Sequence, residues 1–328
     1  MTASLTEKSD ASEKPPYLGN VFFIVGPTAT GKSEIAAEIA RRLNAEIVNA
    51  DAFQIYRGLD LLTAKPDATT LAMAPHYLLG TAPLNEEMNV EKFRAAAVGA
   101  IRDIQARGKN VIVAGGSGLY LKALTHGLSP LPGASPKLRA QLSELSLEEL
   151  CERLVALDPA VARAIDMKNR RRVTRALEVC LLTGKPVSAQ RTRGASHSEA
   201  ATGAAATDGV FVFRERSELY QRIDRRVERM FAEGVVEEVR VLPDLGPTAE
   251  KALGLREIRS LLAGEMSEPE CIAKIQQATR HYAKRQLTWF QRQDNFEPLN
   301  LSSHGSSEAI EWMIARTPKA FGVAQMDD

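Results

Sequence analysis

The strongest constraint on this chain lies near its start. Val21-Phe22-Phe23-Ile24-Val25 is a run of five apolar residues, three of them β-branched, and such a run reads as a buried strand. It leads into Gly26-Pro27-Thr28-Ala29-Thr30-Gly31-Lys32-Ser33, and the helix-forming residues that follow place Ile35, Ile39 and Leu43 four apart on one face. A strand, a loop of the form G-x-x-x-x-G-K-[ST] and a helix together make a phosphate-binding loop. Gly26 and Gly31 let the backbone curl until its N–H groups point inward, and the helix N-terminus adds a partial positive charge. Lys32 offers a full charge to a terminal phosphate, and the Ser33 hydroxyl offers a ligand to Mg²⁺. The motif alone does not specify which phosphates it holds.

The loop must be embedded in a large core, and 328 residues suffice for one large domain or two smaller ones. With 44% hydrophobic and 25% charged residues, wholesale disorder is excluded. The net charge is only +1, so any polyanionic partner must be met by local basic patches. Cys151, Cys180 and Cys271 are far apart and lack C-x-x-C spacing, which fits a reducing cytoplasm better than a disulfide framework or a zinc site. No apolar run approaches the length of a membrane span, and the polar N-terminus lacks the apolar centre of a signal peptide. A cytoplasmic protein without a membrane partner is expected.

Along the chain, residues 1–19 read as a disordered tail. Residues 20–127 carry the first part of a P-loop core: a second strand ends at Asp51, another follows Pro75, Asn89 opens a helix that Gly108 stops, and Val111 to Ala114 is a further buried strand. This alternation predicts an α/β fold with a doubly wound parallel sheet of P-loop NTPase type. The proline-rich Leu128-Ser129-Pro130-Leu131-Pro132-Gly133 reads as a hinge into a small all-helical insertion over 128–194. Within it, Ser146 to Glu149 has the form of a capping box, and Asp158-Pro159 opens another helix. Residues 195–209 are a low-complexity loop rich in Ala, Ser, Thr and Gly. Val210 to Phe213 returns to the sheet, the remainder of 210–316 is mainly helical, and 317–328 is a C-terminal tail.

Most P-loop proteins place a second acidic residue at a strand end to hold Mg²⁺. Here Val111 to Ala114 ends in Gly115-Gly116 with no acid, and the acid that ends a strand near the loop is Asp51. Asp51 leads the aromatic and amide-bearing segment Ala52-Phe53-Gln54-Ile55-Tyr56, which suits a substrate base better than a hydrolytic water. A helix cap or a plain metal ligand is the alternative for Asp51. Basic residues are clustered: 163–193 holds nine Lys/Arg against two Asp/Glu, including Arg170-Arg171-Arg172 and Arg175. A second cluster, Arg280, Lys284, Arg285 and Arg292, contains His281, Tyr282, Trp289 and Phe290 and no acid. Cations beside aromatics suit phosphates and stacked bases, and a solvated helix face or a core role for the aromatics is the alternative. Arg222 and Arg226 lie four apart on a helix; Arg226 is placed to reach a diphosphate or, alternatively, to form a surface pair.

The P-loop, Asp51 to Tyr56, Thr63-Ala64-Lys65-Pro66, Gly115-Gly116-Ser117-Gly118-Leu119-Tyr120, Arg175-Ala176-Leu177-Glu178 and Ala283-Lys284-Arg285-Gln286-Leu287-Thr288-Trp289 occur in that order. Together, over roughly residues 20 to 295, they resemble the tRNA dimethylallyltransferases (tRNA isopentenyltransferases). The resemblance implies that Gly26, Pro27, Thr28, Ala29, Thr30, Gly31, Lys32, Ser33 and Arg226 bind the diphosphate of dimethylallyl diphosphate without nucleotide hydrolysis. It implies Mg²⁺ on Ser33, and Asp51, Thr28 and Ser117 as the catalytic set. The acceptor is then N6 of the adenosine 3′ of a tRNA anticodon. tRNA contacts are implied for Asp51, Ala52, Phe53, Gln54, Ser117, Arg139, Arg171, Arg172, Val173, Thr174, Arg175, Lys251, Gly254, Arg256, Arg280, Lys284 and Arg285, and in the wider segments for Gln286.

There are departures from the family pattern. Ala52 stands where a serine is usual, Ser117 replaces a common threonine, and Leu255 stands where a tyrosine often follows the glycine. The 195–209 loop has no counterpart, and the cysteines of a C-terminal zinc finger are missing. The expected protein is a monomer. The competing reading is an ATP-dependent kinase or an RNA-stimulated NTPase, which needs the strand-end acid that β-strand 111–114 lacks.

Overall fold

The computed structural model describes residues 15–128, 131–191, 208–317 and 321. Two compact units are present, Met1–Gly127 with Ala204–Asp328, and Leu128–Gly203. The first is built on a sheet of six strands: β1 (Val21–Val25), β2 (Ala45–Asn49), β3 (His76–Tyr77), β4 (Asn110–Gly115), β5 (Gly209–Phe213) and β6 (Glu297–Asn300). Their spatial order is β3-β2-β4-β1-β5-β6, and every pairing is parallel. This is the expected α/β parallel sheet.

Period-2 geometry explains why β1 is apolar throughout. Val21, Phe23 and Val25 join one core cluster, while Phe22 and Ile24 join the cluster on the opposite face. The second cluster is covered by α1 (Lys32–Arg42) through Ile35, Ile39 and Ala40. Next in the chain come α2 (Ala68–Met73), α3 (Val90–Ala106) and α4 (Gly118–His126). Asn89 accepts from the Lys92 amide at 2.9 Å and so starts α3. Phe93 of α3 stacks on Tyr120 of α4 at 3.9 Å between ring centroids, within the first cluster.

The helical unit contains α5 (Pro136–Ser143), α6 (Leu147–Leu157), α7 (Pro159–Ala164), α8 (Arg170–Thr183) and α9 (Val187–Arg191). Ser146 and Glu149 form the reciprocal capping box of α6. Asp158 starts α7 by accepting from the Val161 amide at 3.0 Å. Leu150, Leu154, Val173, Leu177 and Val187 make up part of this unit's own core.

Back in the sheet unit, α10 (Arg216–Ala232), α11 (Val235–Arg240), α12 (Leu255–Leu262), α13 (Glu268–Phe290) and α14 (Ser306–Ile314) complete the chain. The C-terminal part is less purely helical than its sequence suggests, because β6 adds a sixth strand beside β5. β6 is four residues long and contains Pro298, which an edge strand tolerates and a central strand does not.

Part of each expected tail is packed. Tyr17 and Leu18 lie in the first core cluster, with the Tyr17 hydroxyl donating to the Leu124 carbonyl at 2.8 Å. Thr317 and Phe321 are buried, the latter in the second cluster. Residues 1–14, 318–320 and 322–328 of the two tails, and 195–207 of the low-complexity loop, lie outside the described residues.

Candidate active site

The carboxyl ends of three neighbouring strands are stitched together by backbone bonds. The Gly26 amide donates to the Gly115 carbonyl at 3.2 Å, Ala50 to Ala114 at 2.7 Å, and Ser117 to Ala50 at 3.2 Å. The P-loop, the segment after β2 and the Gly-Gly-Ser-Gly turn after β4 therefore share one sheet edge, where parallel sheets hold ligands.

The loop itself is held with its carbonyls turned away from its amides. Pro27 O accepts from Thr30 Oγ1 at 3.0 Å and from Lys32 Nζ at 3.2 Å. Arg222 Nε donates to Ala29 O at 2.8 Å, and Arg214 Nε donates to Thr30 O at 2.8 Å. Ala29 sits at φ 64, a left-handed conformation costly for a residue with a Cβ, and the Arg222 bond fixes it there. Gly31 adopts φ 95 at the head of α1, which glycine accepts without that cost. Among the described residues, the amides of Ala29, Thr30, Gly31, Lys32 and Ser33 have no hydrogen-bond partner within the protein. A run of inward amides at a helix N-terminus is an anion seat.

Two cations complete it. Arg226 on α10 has its Nε buried with no hydrogen-bond partner, and burial pushes its guanidinium down to about 10, against the pull of Asp51. Burial likewise pushes the Lys32 ammonium down to about 8, with Asp51 favouring its charge and Arg226 opposing it. Arg226 is thus not the surface partner of Arg222 that the spacing allowed. A buried guanidinium nitrogen without an acceptor is costly, and an anion between Lys32 and Arg226 relieves that cost.

Asp51 lies two residues beyond β2. Its Oδ1 accepts from the Phe53 amide at 2.9 Å and the Gln54 amide at 3.3 Å, so it caps the turn that follows. Its Oδ2 accepts no hydrogen bond among the described residues. Ser117 Oγ accepts from the Ala52 amide at 3.0 Å, which ties the Gly-Gly-Ser-Gly turn to the Asp51 segment. The half-buried Tyr282 of α13 lies close to Ser117 and Asp51. Burial first, and then Asp51, raise its pKa and keep it protonated. Gly118 is needed by close packing, since a Cβ there would lie 2.5 Å from the Trp289 indole. No acid follows β4, so the second carboxylate of a hydrolytic P-loop enzyme is missing at that strand end.

Comparison with known proteins gives the family. The family model described as IPP transferase matches residues 54–293. The tRNA dimethylallyltransferase 1 of Citrifermentans bemidjiense is 44% identical, over 84% of this chain and 90% of that protein. The tRNA dimethylallyltransferase of Akkermansia muciniphila is 41% identical, over 88% and 96%. The crystal structure of the full-length tRNA isopentenylpyrophosphate transferase of Bacillus halodurans is 31% identical, with a TM-score of 0.64 over 92% of this chain and 98% of that one. A eukaryotic dimethylallyltransferase acting on tRNA aligns with a TM-score of 0.77 at 25% identity, covering 94% and 81%.

The chain belongs to the tRNA dimethylallyltransferase (IPP transferase) family.

The other residues that the family pattern singles out fall into distinct environments. In the sheet unit Phe53 and Ala52 are half-buried against the first core cluster. The Gln54 amide donates to the carbonyls of Thr63 and Ala64 at 3.1 and 2.9 Å, so it braces the Thr-Ala-Lys-Pro turn. Lys251, Arg256, Lys284 and Arg285 are exposed. Arg280 is bound by both oxygens of Asp224 at 2.7 and 2.9 Å. Gly254 starts α12 at φ 93, and Leu255 is buried in the core, where no stacking on RNA is open to it. Phe290 is likewise core, stacked on Phe211 at 5.2 Å.

In the helical unit Arg171 and Arg172 are exposed and Thr174 is half-buried. Val173 is a correction: its side chain is fully buried in the unit's core and is closed to tRNA. Arg139 and Arg175 converge on Glu178 (Nε to Oε1 at 3.0 Å, Nη1 to Oε2 at 2.7 Å), and Arg175 also donates to Pro132 O at 2.6 Å. Sequence spacing gave no signal for three of these arrangements: Arg214 and Arg222 on the loop carbonyls, and Glu178 as a shared acceptor. The partners lie 184, 193 and 39 residues apart.

The Ser33 hydroxyl forms no hydrogen bond among the described residues, and no cluster of three His, Cys, Asp or Glu able to hold a metal is found among them. That donor set fits an ion such as Mg²⁺, which keeps several waters and binds mainly through phosphate oxygens.

Proposed function

We propose that this chain transfers a dimethylallyl group from dimethylallyl diphosphate to N6 of the adenosine 3′ of a tRNA anticodon, releasing diphosphate. The observation that carries the reading is the pairing of an anion seat with a half-free carboxylate. The bare amides of Ala29 to Ser33, Lys32 and the unpartnered Arg226 stand beside Asp51, which affects the charge of both cations.

An exocyclic aromatic amine is a poor nucleophile, and it must lose a proton as its new bond forms. Asp51 is placed to accept that proton through Oδ2, while its Oδ1 stays on the Phe53 and Gln54 amides. The allylic C–O bond breaks as the C–N bond forms, and the electron pair leaves with the diphosphate. That charge is taken up by the loop amides, Lys32 and Arg226. Mg²⁺, held by Ser33 and the phosphate oxygens, would supply further charge neutralisation. Thr28 and Ser117 border the acceptor. The target base must leave its stack to reach them.

The exposed Arg171, Arg172, Lys251, Arg256, Lys284 and Arg285 supply cations for RNA backbone, and we assign Arg139 and Arg175 the same role from their Glu178 fork. We take the enzyme to act as a monomer in the cytoplasm. Three free thiols suit a reducing compartment.

Incubation with unmodified tRNA, Mg²⁺ and labelled dimethylallyl diphosphate tests the reading. Label is expected in tRNA without ATP. Phosphate release from ATP with no label in tRNA would sink it. The RNA patches predict affinity for tRNA that falls steeply with salt, and a salt-independent affinity counts against them.

A further inference from the structure

Lys284-Arg285-Gln286 looks like one basic, RNA-facing segment, yet its three side chains have different fates. Lys284 and Arg285 are exposed, whereas Gln286 on the same helix is 6% exposed. Both ends of its amide are used inside the sheet unit. Oε1 accepts from the Thr28 amide at 2.9 Å, and Nε2 donates to the Gly116 carbonyl at 2.9 Å. The contact is tight: a Cβ on Gly116 would come within 2.5 Å of Nε2. Gln286 thereby joins three segments, the P-loop, the Gly-Gly-Ser-Gly turn and α13.

The bond to Thr28 has a consequence for the anion seat. Pro27 has no N–H, so Thr28 carries the first amide of the loop after Gly26. Gln286 occupies that amide and leaves the seat to Ala29 through Ser33, whose amides are unpartnered. It also fixes the peptide plane before Thr28, and with it the direction of a side chain at the border between donor and acceptor. An uncharged carboxamide offers an acceptor to Thr28 and a donor to Gly116 at once, which a carboxylate, an ammonium or a guanidinium does not.

We propose that Gln286 is a positioning residue: it sets the geometry of the diphosphate seat by engaging the Thr28 amide, and it does not contact tRNA. This rests on the transfer reading above for its effect on turnover, and on geometry alone for its effect on anion binding.

The test compares Gln286→Met, which keeps the volume and loses both bonds, with Lys284→Ala as the RNA-facing control. Affinity for Mg²⁺-diphosphate is measured by calorimetry, affinity for unmodified tRNA by filter binding, and kcat and donor KM by labelled transfer per titrated active site. For Gln286→Met, diphosphate Kd and donor KM are expected to rise on the order of tenfold and kcat to fall by ten- to a hundredfold. The tRNA Kd is expected to stay within about twofold of wild type, while Lys284→Ala shows the reverse pattern.

A raised tRNA Kd with unchanged diphosphate Kd overturns the proposal. So does a lower melting temperature with per-site constants unchanged, because that marks a purely structural residue. If the Met variant fails to fold, Gln286→Asn takes its place, since it keeps the amide but is too short to span both partners. The same rise in diphosphate Kd is expected, and an unchanged value overturns the proposal. Diphosphate binding needs no turnover. A wild-type protein that binds diphosphate but labels no tRNA would therefore refute the transfer reading and leave this one standing.

Discussion

Arginines in the two units are treated in opposite ways. In the sheet unit, among the described residues, the Arg226 Nε is buried without an acceptor, and neighbouring Lys32 reaches only the Pro27 carbonyl. In the helical unit Arg139 and Arg175 share the carboxylate of Glu178, which is fully buried and also accepts from the Ser135 amide at 2.8 Å. The second arrangement is finished without a ligand: it is a scaffold that presents two half-exposed guanidinium groups in fixed directions. The first is unfinished, and its electrostatic cost is the kind that persists at a functional site. Removing a member of each set should therefore have opposite effects on stability and on binding.

The largest effect is expected at the carboxylate beside the unfinished set. Asp51→Asn keeps an oxygen for the turn amides and removes the base. Turnover should drop by about 10²- to 10⁴-fold, with tRNA and diphosphate affinities held within a few-fold, as single-turnover labelling and calorimetry would show. Turnover near wild type would mean that the proton goes elsewhere.

Next comes the cation itself. Arg226→Met should weaken diphosphate binding by roughly 2–4 kcal/mol while raising the melting temperature, because a buried guanidinium nitrogen without an acceptor has been replaced by an apolar side chain. A fall in melting temperature would show that Arg226 is paired in the ligand-free protein and would erase the contrast. Glu178→Ala is the counterpart. It should destabilise the protein by about 1–3 kcal/mol, since the Ser135 amide and two guanidinium groups lose their acceptor. Diphosphate affinity should not change. A measurable change there would show that the two sets are energetically linked.

The two sets were also unequally legible in the sequence. The loop motif is local: eight consecutive residues specify strand, turn and helix, and Ile35 and Ile39 mark the buried face of α1. Asp51 was readable because it ends a strand in a chain with no acid after Val111 to Ala114. The parallel sheet followed from strand and helix alternation, but β6 did not, since Glu297-Pro298-Leu299-Asn300 has one buried side chain and a proline. The clamps on the loop were out of reach for a different reason. Arg214, Arg222 and Gln286 bond to backbone atoms, and a backbone carbonyl or amide leaves no mark in the sequence of its partner. For the same reason a basic run could not be sorted by spacing alone. Arg171 and Arg172 reach solvent while adjacent Val173 is core, and Arg170 donates to the carbonyls of Leu142, Ser143 and Leu145 at 3.2, 2.9 and 2.5 Å.

The smallest expected effect is on acid stability, and it separates the buried carboxylates of the two units. Burial works to raise the Glu178 pKa, and the bonds from Arg139, Arg175 and the Ser135 amide outweigh it, so the carboxyl lies below its ordinary value of 4.5. Glu46 in β2 is also lowered, chiefly by Arg107, which holds it at 2.6 and 2.7 Å, and against burial. A carboxyl whose folded pKa is depressed stabilises the fold at pH above its unfolded value, and that contribution is lost as pH falls through the folded one. Both groups should therefore steepen the loss of stability below about pH 4.5. Glu178→Gln removes one of them and should flatten that limb of a denaturant titration between pH 5 and 3, by less than one proton's worth of slope, while leaving the limb due to Glu46. An unchanged slope would mean that the Arg139 and Arg175 fork does not depend on the charge of Glu178, and that the paired set is held by packing instead.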